Sequence, residues 1–274
     1  MIRPLTPCCD NRMQLNYQPV GPLASFVEKL WYCDGRNVLR RKERVLPNGR
    51  FQLFFSLSDA PIGGPGIANW QVGRGASSLV VGMETQCIVI DRTTLQSAIG
   101  VLFCPGGARA FFDVPADVFY NERVPLDLIW GSRASIVRDR LREANAPAEK
   151  FRLLEKALLE QLNRRVELHA AVRYALGEFA RGPHIRSVLD VAREAGMSRR
   201  RFAQLFREQV GLTPKLYCRL RRFQSVVREI SSGVPVDWAD LALALGYYDQ
   251  AHLANEFRHF SGISPSAYLA DGRS

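Results

Sequence analysis

Val191–Ala192–Arg193–Glu194–Ala195–Gly196–Met197–Ser198 leads into Arg199–Arg200–Arg201–Phe202–Ala203–Gln204–Leu205–Phe206, and Gly211–Leu212–Thr213–Pro214 closes the passage. Fifty positions on from Gly196 stands Gly246, and the passage is written again. Leu241–Ala242–Leu243–Ala244–Leu245–Gly246–Tyr247–Tyr248 precedes Asp249–Gln250–Ala251–His252–Leu253–Ala254–Asn255–Glu256–Phe257, and Gly262–Ile263–Ser264–Pro265 ends it. Gly196 pairs with Gly246, Phe206 with Phe257, Gly211 with Gly262 and Pro214 with Pro265; the second copy holds one extra residue in its turn.

Each copy reads as a helix–turn–helix. A short apolar helix stops at a glycine, which supplies the left-handed backbone of a tight turn. Ser198 or Asp249 then caps a new helix by accepting from its unpaired amides. Phe202, Leu205 and Phe206 fall three and four apart, so they share one face. Leu253, Phe257 and Phe260 form the matching stripe. Long basic and amide side chains are left on the opposite faces. That is what a reader of the DNA major groove needs, since Arg suits guanine and Gln or Asn suits adenine. The residues assigned to bases are Arg200, Gln204, Gln250, His252 and Asn255, with Ala203, Ala251 and Ala254 set for thymine methyls. Arg199, Arg201, Arg207, Lys215 and Arg258 are assigned to phosphate.

Residues 187–270 resemble the paired helix–turn–helix domain of AraC/XylS-type transcriptional regulators. Gly262–Ile263–Ser264–Pro265–Ser266–Ala267–Tyr268 is similar to that family's closing signature, and Gly211–Leu212–Thr213–Pro214–Lys215 to its counterpart in the first half. The resemblance implies a DNA-binding regulator. In that family the second reading helix often carries Arg where Asn255 stands here.

Charge agrees with this reading. The 274-residue chain carries a formal net charge of +10, which favours a polyanionic partner. Between Arg199 and Arg228 stand Arg199, Arg200, Arg201, Arg207, Lys215, Arg219, Arg221, Arg222 and Arg228 against one acid, Glu208. The charge is thus concentrated beside the proposed reading helix, which favours nucleic acid over lipid. Residues 1–7 carry no apolar stretch of a secretory signal, and no apolar run approaches membrane-spanning length. The expected compartment is therefore the cytoplasm.

The expected fold class is α+β multidomain. Residues 1–163 form a sensor-like or assembly domain. Its β region, about 20–125, reads as a mainly β barrel or sandwich, and a helical hairpin follows over about 132–163. Residues 164–274 form an all-α domain, two helix–turn–helix units joined by one long helix, Pro214–Ile230. Residues 1–20 read as an irregular lead-in. Leu23, Phe26, Val27, Leu30 and Trp31 have helical spacing. Arg40–Arg44 reads as a solvated hairpin arm. Asn48–Gly49 is a strong turn and hairpin signal. Strands are expected at 51–57, 79–82, 87–91 and 98–103, and a glycine-rich loop at 59–69. Gly106–Gly107 reads as a tight turn or a backbone anion cradle. Phe151, Leu154, Leu158 and Leu162 form a stripe that packs on the β region or on a second subunit. A helix with Val166, Val172, Leu176 and Phe179 opens the DNA-binding half.

The N-terminal half resembles the uncharacterised sensor-like domain found ahead of some AraC-type regulators. Pro22–Leu23 with Val27 and Trp31, Leu46–Pro47–Asn48–Gly49, and Phe103–Cys104–Pro105–Gly106–Gly107–Ala108 with Phe111–Phe112 carry the likeness, which implies no known ligand. The four histidines are His169, His184, His252 and His259. None lies in residues 1–168, so that half has neither a His-based metal cluster nor a Ser-His-Asp or Cys-His arrangement. No catalytic residue, metal or cofactor is assigned, and the ligand-binding residues are unassigned. The expected partners are double-stranded DNA, with RNA polymerase, a small-molecule effector and a second copy of the chain as further candidates. Three other readings stay open. Cys33, Cys87 and Cys104 can converge as a thiol or soft-metal sensor; Cys8 and Cys9 lack the array of a zinc-dependent repair sensor. The first half can be an enzyme that the second localises to DNA. Or the two halves assemble on DNA without sensing anything.

Overall fold

The computed structural model describes residues 2–4, 13–35, 42–59, 76–91, 97–163, 166–182 and 185–271. The chain divides into two compact units. The first comprises Met1–Val45, Arg50–Met83 and Ile88–Glu167. The second comprises Leu168–Ser274 together with two short segments, Leu46–Gly49 and Glu84–Cys87.

In the first unit, β1 (Ile2–Pro4), β2 (Met13–Tyr17), β3 (Val27–Asp34), β5 (Gln52–Ser56), β6 (Ser78–Val81), β8 (Ser97–Phe103) and β9 (Arg123–Pro125) make a seven-stranded sheet in the order β1-β2-β3-β8-β5-β6-β9. Every pairing in it is antiparallel. A separate two-stranded sheet pairs β4 (Lys42–Val45) with β7 (Ile88–Asp91). Register explains the core. Leu30, Val101, Leu53 and Val80 lie directly opposite one another across four strands, so their side chains share a face. All four are fully buried.

Helices complete this unit: α1 (Asp127–Trp130), α2 (Arg133–Glu143) and α3 (Pro147–Gln161). Phe151, Leu154 and Leu158 are buried on α3, and Phe151 stacks on Tyr17 of β2 with ring centroids 5.6 Å apart. The hairpin stripe therefore packs on the unit's own strands. The buried Lys150 ammonium donates to the carbonyls of Leu141 and Ala144, each at 2.5 Å, and so satisfies the end of α2.

Several expectations are corrected here. Residues 23–31 are not a helix: a short 3-10 turn, Gly21–Leu23, leads into strand β3. The register of β3 against β8 shifts between Val27 and Lys29. This bulge adds one residue to the alternation, so Val27 and Leu30 face inward three positions apart and imitate a helical period. The supposed lead-in contains β1 and β2. Lys42–Val45 of the proposed hairpin arm is a strand paired with β7, and residues 40–41 lie outside the described residues. Gly49 is left-handed as a turn demands, yet β4 and β5, on either side of it, do not pair with each other. Nearly all of the 59–69 loop lies outside the described residues.

Gly106 has φ +77° and opens a 3-10 turn, Gly107–Phe111. A Cβ on Gly107 would stand 2.2 Å from the Phe26 carbonyl oxygen. The pair thus serves a tight turn with close backbone approach. Gly107→Ala must displace backbone, whereas Gly196→Ala meets no neighbour and bears only its positive φ. Urea melts should show a loss of about 1–2 kcal/mol for Gly196→Ala and a larger loss for Gly107→Ala. The reverse order would contradict this packing.

Candidate DNA interface

The second unit begins with α4 (Ala170–Arg181), later than the expected start at Val166. His169 caps it by accepting from the Ala171 amide. The two repeats follow. The first is α5 (Val188–Glu194) and α6 (Arg199–Val210); the second is α8 (Trp238–Ala244) and α9 (Gln250–Ser261). Between them runs α7, Pro214–Ile230, seventeen residues as the absence of internal Gly and Pro predicts. A last helix, α10 (Pro265–Asp271), closes the chain.

Both copies are built by the same local chemistry. Gly196 and Gly246 take φ of +70° and +72° in the turns, and Gly211 and Gly262 take +94° and +77° at the ends of the second helices. The Ser198 hydroxyl accepts from the Arg201 amide at 3.3 Å, and Asp249 Oδ1 accepts from the His252 amide at 2.7 Å. Phe202, Leu205 and Phe206 are buried, as are Leu253, Phe257 and Phe260. Phe206 meets Tyr217 of α7 edge-on at 5.5 Å. Phe223, further along α7, lies 5.1 Å from both Phe257 and Phe260. One helix therefore anchors both reading helices.

Burial of these stripes sends the polar faces outward. Arg199, Arg200, Arg201, Gln204 and Arg207 are exposed on α6. Gln250, Ala251, Asn255 and Arg258 are exposed on α9, and Lys215 is exposed at the start of α7. Ala203 and Ala254 are half-buried. His252 departs from this pattern. It is half-buried, its Nδ1 accepts from the Tyr248 amide at 3.3 Å, and its ring meets Tyr247 edge-on. Only Nε2 is left to face a ligand. Two other side chains already have neighbours: Gln204 donates to Glu208 at 2.8 Å, and Arg258 donates to Asn255 at 3.3 Å.

The sequence did not expose several groups. Arg219 donates twice to Glu256, at 2.8 and 2.7 Å, tying α7 to α9. Burial pushes the Glu256 carboxyl upward, but the Arg219 guanidinium outweighs it and holds the group below the usual carboxylate range. Arg222 donates to the Gly246 carbonyl at 2.8 Å and lies 4.9 Å from the centre of the Tyr247 ring. Arg186 joins Glu178 of α4, at 3.1 Å, to Glu194 of α5. The 215/219/222 spacing on one helix face was the available signal; Glu256, the acid that answers Arg219, is remote in sequence.

Among the described residues no group of three or more His, Cys, Asp or Glu is placed to hold a metal. Cys33 and Cys104 belong to the first unit and Cys87 to the second, where its amide donates to the Phe260 carbonyl at 3.0 Å. Burial pushes the Cys104 thiol up and the Cys218 thiol to about 12. Neither is a ready thiolate.

Residues 191–271 match the family described as a helix-turn-helix domain. The chain carries an AraC-type helix-turn-helix domain. It is a DNA-binding transcriptional regulator. Residues 15–125 match a second family, a domain of unknown function, DUF6597. A comparison with curated proteins finds no match. Among solved structures, ToxT from Vibrio cholerae is similar at 12% identity and a TM-score of 0.46, over 85% of this chain and 97% of ToxT. The DNA-binding domain of AdpA, described as a global transcriptional factor and solved with a target DNA, is similar at 24% identity and a TM-score of 0.35, over 38% of this chain and 95% of that one. No helix among the described residues is long and apolar enough to cross a membrane.

The Arg219–Glu256 pair gives the helix-turn-helix domain an acid-sensitive brace. The Glu256 carboxyl is held low, so its contribution is present above the unfolded carboxylate range and is lost as pH falls through the folded value. Wild type should exceed Glu256→Gln in urea midpoint at neutral pH, and the gap should close in acid below about 4.5. A gap that widens in acid would reverse the sign.

Proposed function

We propose that the helix-turn-helix domain reads a specific DNA sequence with both of its repeats, and that residues 1–163 sense a small molecule or mediate assembly. Arg200 and Gln204 on α6, with Gln250 and Asn255 on α9, are the base readers. His252 reads only through Nε2. Arg199, Arg201, Arg207, Lys215 and Arg258 hold phosphate. The observation that carries this reading is the outward polar face that each buried stripe enforces on its helix. The protein acts in the cytoplasm on double-stranded DNA, as a regulator rather than an enzyme. A second copy of the chain and RNA polymerase are its proposed protein partners, and the effector is a small molecule. The domain boundary falls near residue 163.

Binding to a panel of mutated sites, chosen by selection from random duplexes, tests the base readers. Arg200→Ala should lose about 1–3 kcal/mol at one or two base positions, as for a lost bidentate contact. Phe206→Ala should instead lower fold stability by about 3–5 kcal/mol by opening a core cavity. An equal loss across every site for Arg200→Ala, with stability intact, would move that residue to the phosphate class.

A further inference from the structure

Between the two repeats lies an open cleft of about 390 Å³. Its floor is the face of α7 that carries Lys215, Arg219 and Arg222, at i, i+4 and i+7. Arg186 borders it ahead of α5, and His252 and Glu256 border it from α9. The cations are not equally answered. Arg219 has Glu256, and Arg186 has Glu178 and Glu194. Among the described residues, neither Lys215 nor Arg222 makes an ion pair. Lys215 is exposed, while Arg222 is held by a carbonyl and an aromatic ring, with its buried Nε left without a partner. A charge so fixed is favourable where an anion will meet it. The acids that border or brace the cleft are bonded to Arg219 and Arg186, and Arg222 feels the Glu256 charge only at longer range. Cys218 also lines it and stays a neutral thiol, so it repels no anion.

The cleft lies beside His252 of the second reading helix and Val188 of the first repeat. A polyanion engaged by both repeats must pass between them. We propose that this cleft seats the phosphodiester backbone running between the two half-sites, with Lys215 and Arg222 as its anchors. Arg219, neutralised by Glu256, fixes the wall between them and is not an anchor. This assignment rests on the DNA-binding reading. It adds Arg222, which is not among the phosphate residues expected from the sequence. The same cations suit free phosphate, and the test separates the two sources.

The test uses the full chain and an unselected duplex, with affinity followed against salt. Each anchor removed should flatten the slope of log K against log salt by about 0.9. Lys215→Gln should show one such step and Lys215→Gln with Arg222→Gln two, while Arg222→Lys keeps the wild-type slope. Lys215 is exposed, so its variant stays informative if Arg222→Gln fails to fold. A wild type that binds no duplex would defeat the DNA reading and the cleft together. A wild type with a steep slope that Lys215→Gln and the double variant leave unchanged would overturn the cleft alone. So would inorganic phosphate that raises the melting temperature of wild type but not of Lys215→Gln, with slopes unchanged, because the cleft would then hold a free anion.

Discussion

The apolar seam of α7 is the constraint on which the DNA-binding half depends. Tyr217, Leu220, Phe223, Val226 and Ile230 are all buried along one side of this helix. Near its start Tyr217 takes the edge of Phe206, and further on Phe223 takes Phe257 and Phe260. Phe206 also meets Phe179 of α4, with ring centroids 6.0 Å apart, so the first reading helix is held from two directions. Because each reading helix must bury its stripe against the same rod, its polar face is pointed outward by packing rather than by charge. The Arg219–Glu256 pair then ties the rod to α9 through a fork of two hydrogen bonds.

The face of α7 beside this seam has a different job. Lys215, Arg219 and Arg222 are spaced to line it, and among the described residues only Arg219 of these three forms an ion pair. Stability alone gives no reason to leave Lys215 and Arg222 without carboxylates. A seat for phosphate between the repeats does. With Lys215 and Arg222 seating phosphate, α7 is both the core of the domain and the floor of its proposed interface, so substitutions of its apolar and of its cationic residues should separate folding from salt-dependent binding.

The sequence made the repeats legible because their determinants are local. A left-handed glycine, a capping hydroxyl or carboxylate, and an apolar pair three and four apart all act within one turn of backbone. Pro214 and Pro265, first residues of α7 and α10, mark helix starts in the same local way. The β region was read less well for a matching reason. Val27 and Leu30 obey a helical period only because a bulge interrupts β3, and β2 is a strand because it pairs with β3. Asn48–Gly49 makes its turn, but the strand partners that decide whether a turn is a hairpin lie elsewhere in the chain. In the interface, exposure of Arg200, Gln204, Gln250 and Asn255 followed from helix periodicity. The retracted ring of His252 and the partners of Arg219 and Arg222 depend on tertiary packing and could not be read from spacing.

Two helices, held by one rod, are proposed to read one DNA molecule. Base-level protection of a selected duplex by the full chain tests this directly. Two protected major-groove segments are expected on one face of the duplex, about 10 base pairs apart, with Gln204→Ala relaxing one segment and Gln250→Ala the other. Protection of a single segment, with both substitutions acting on it, would rule out reading by two helices.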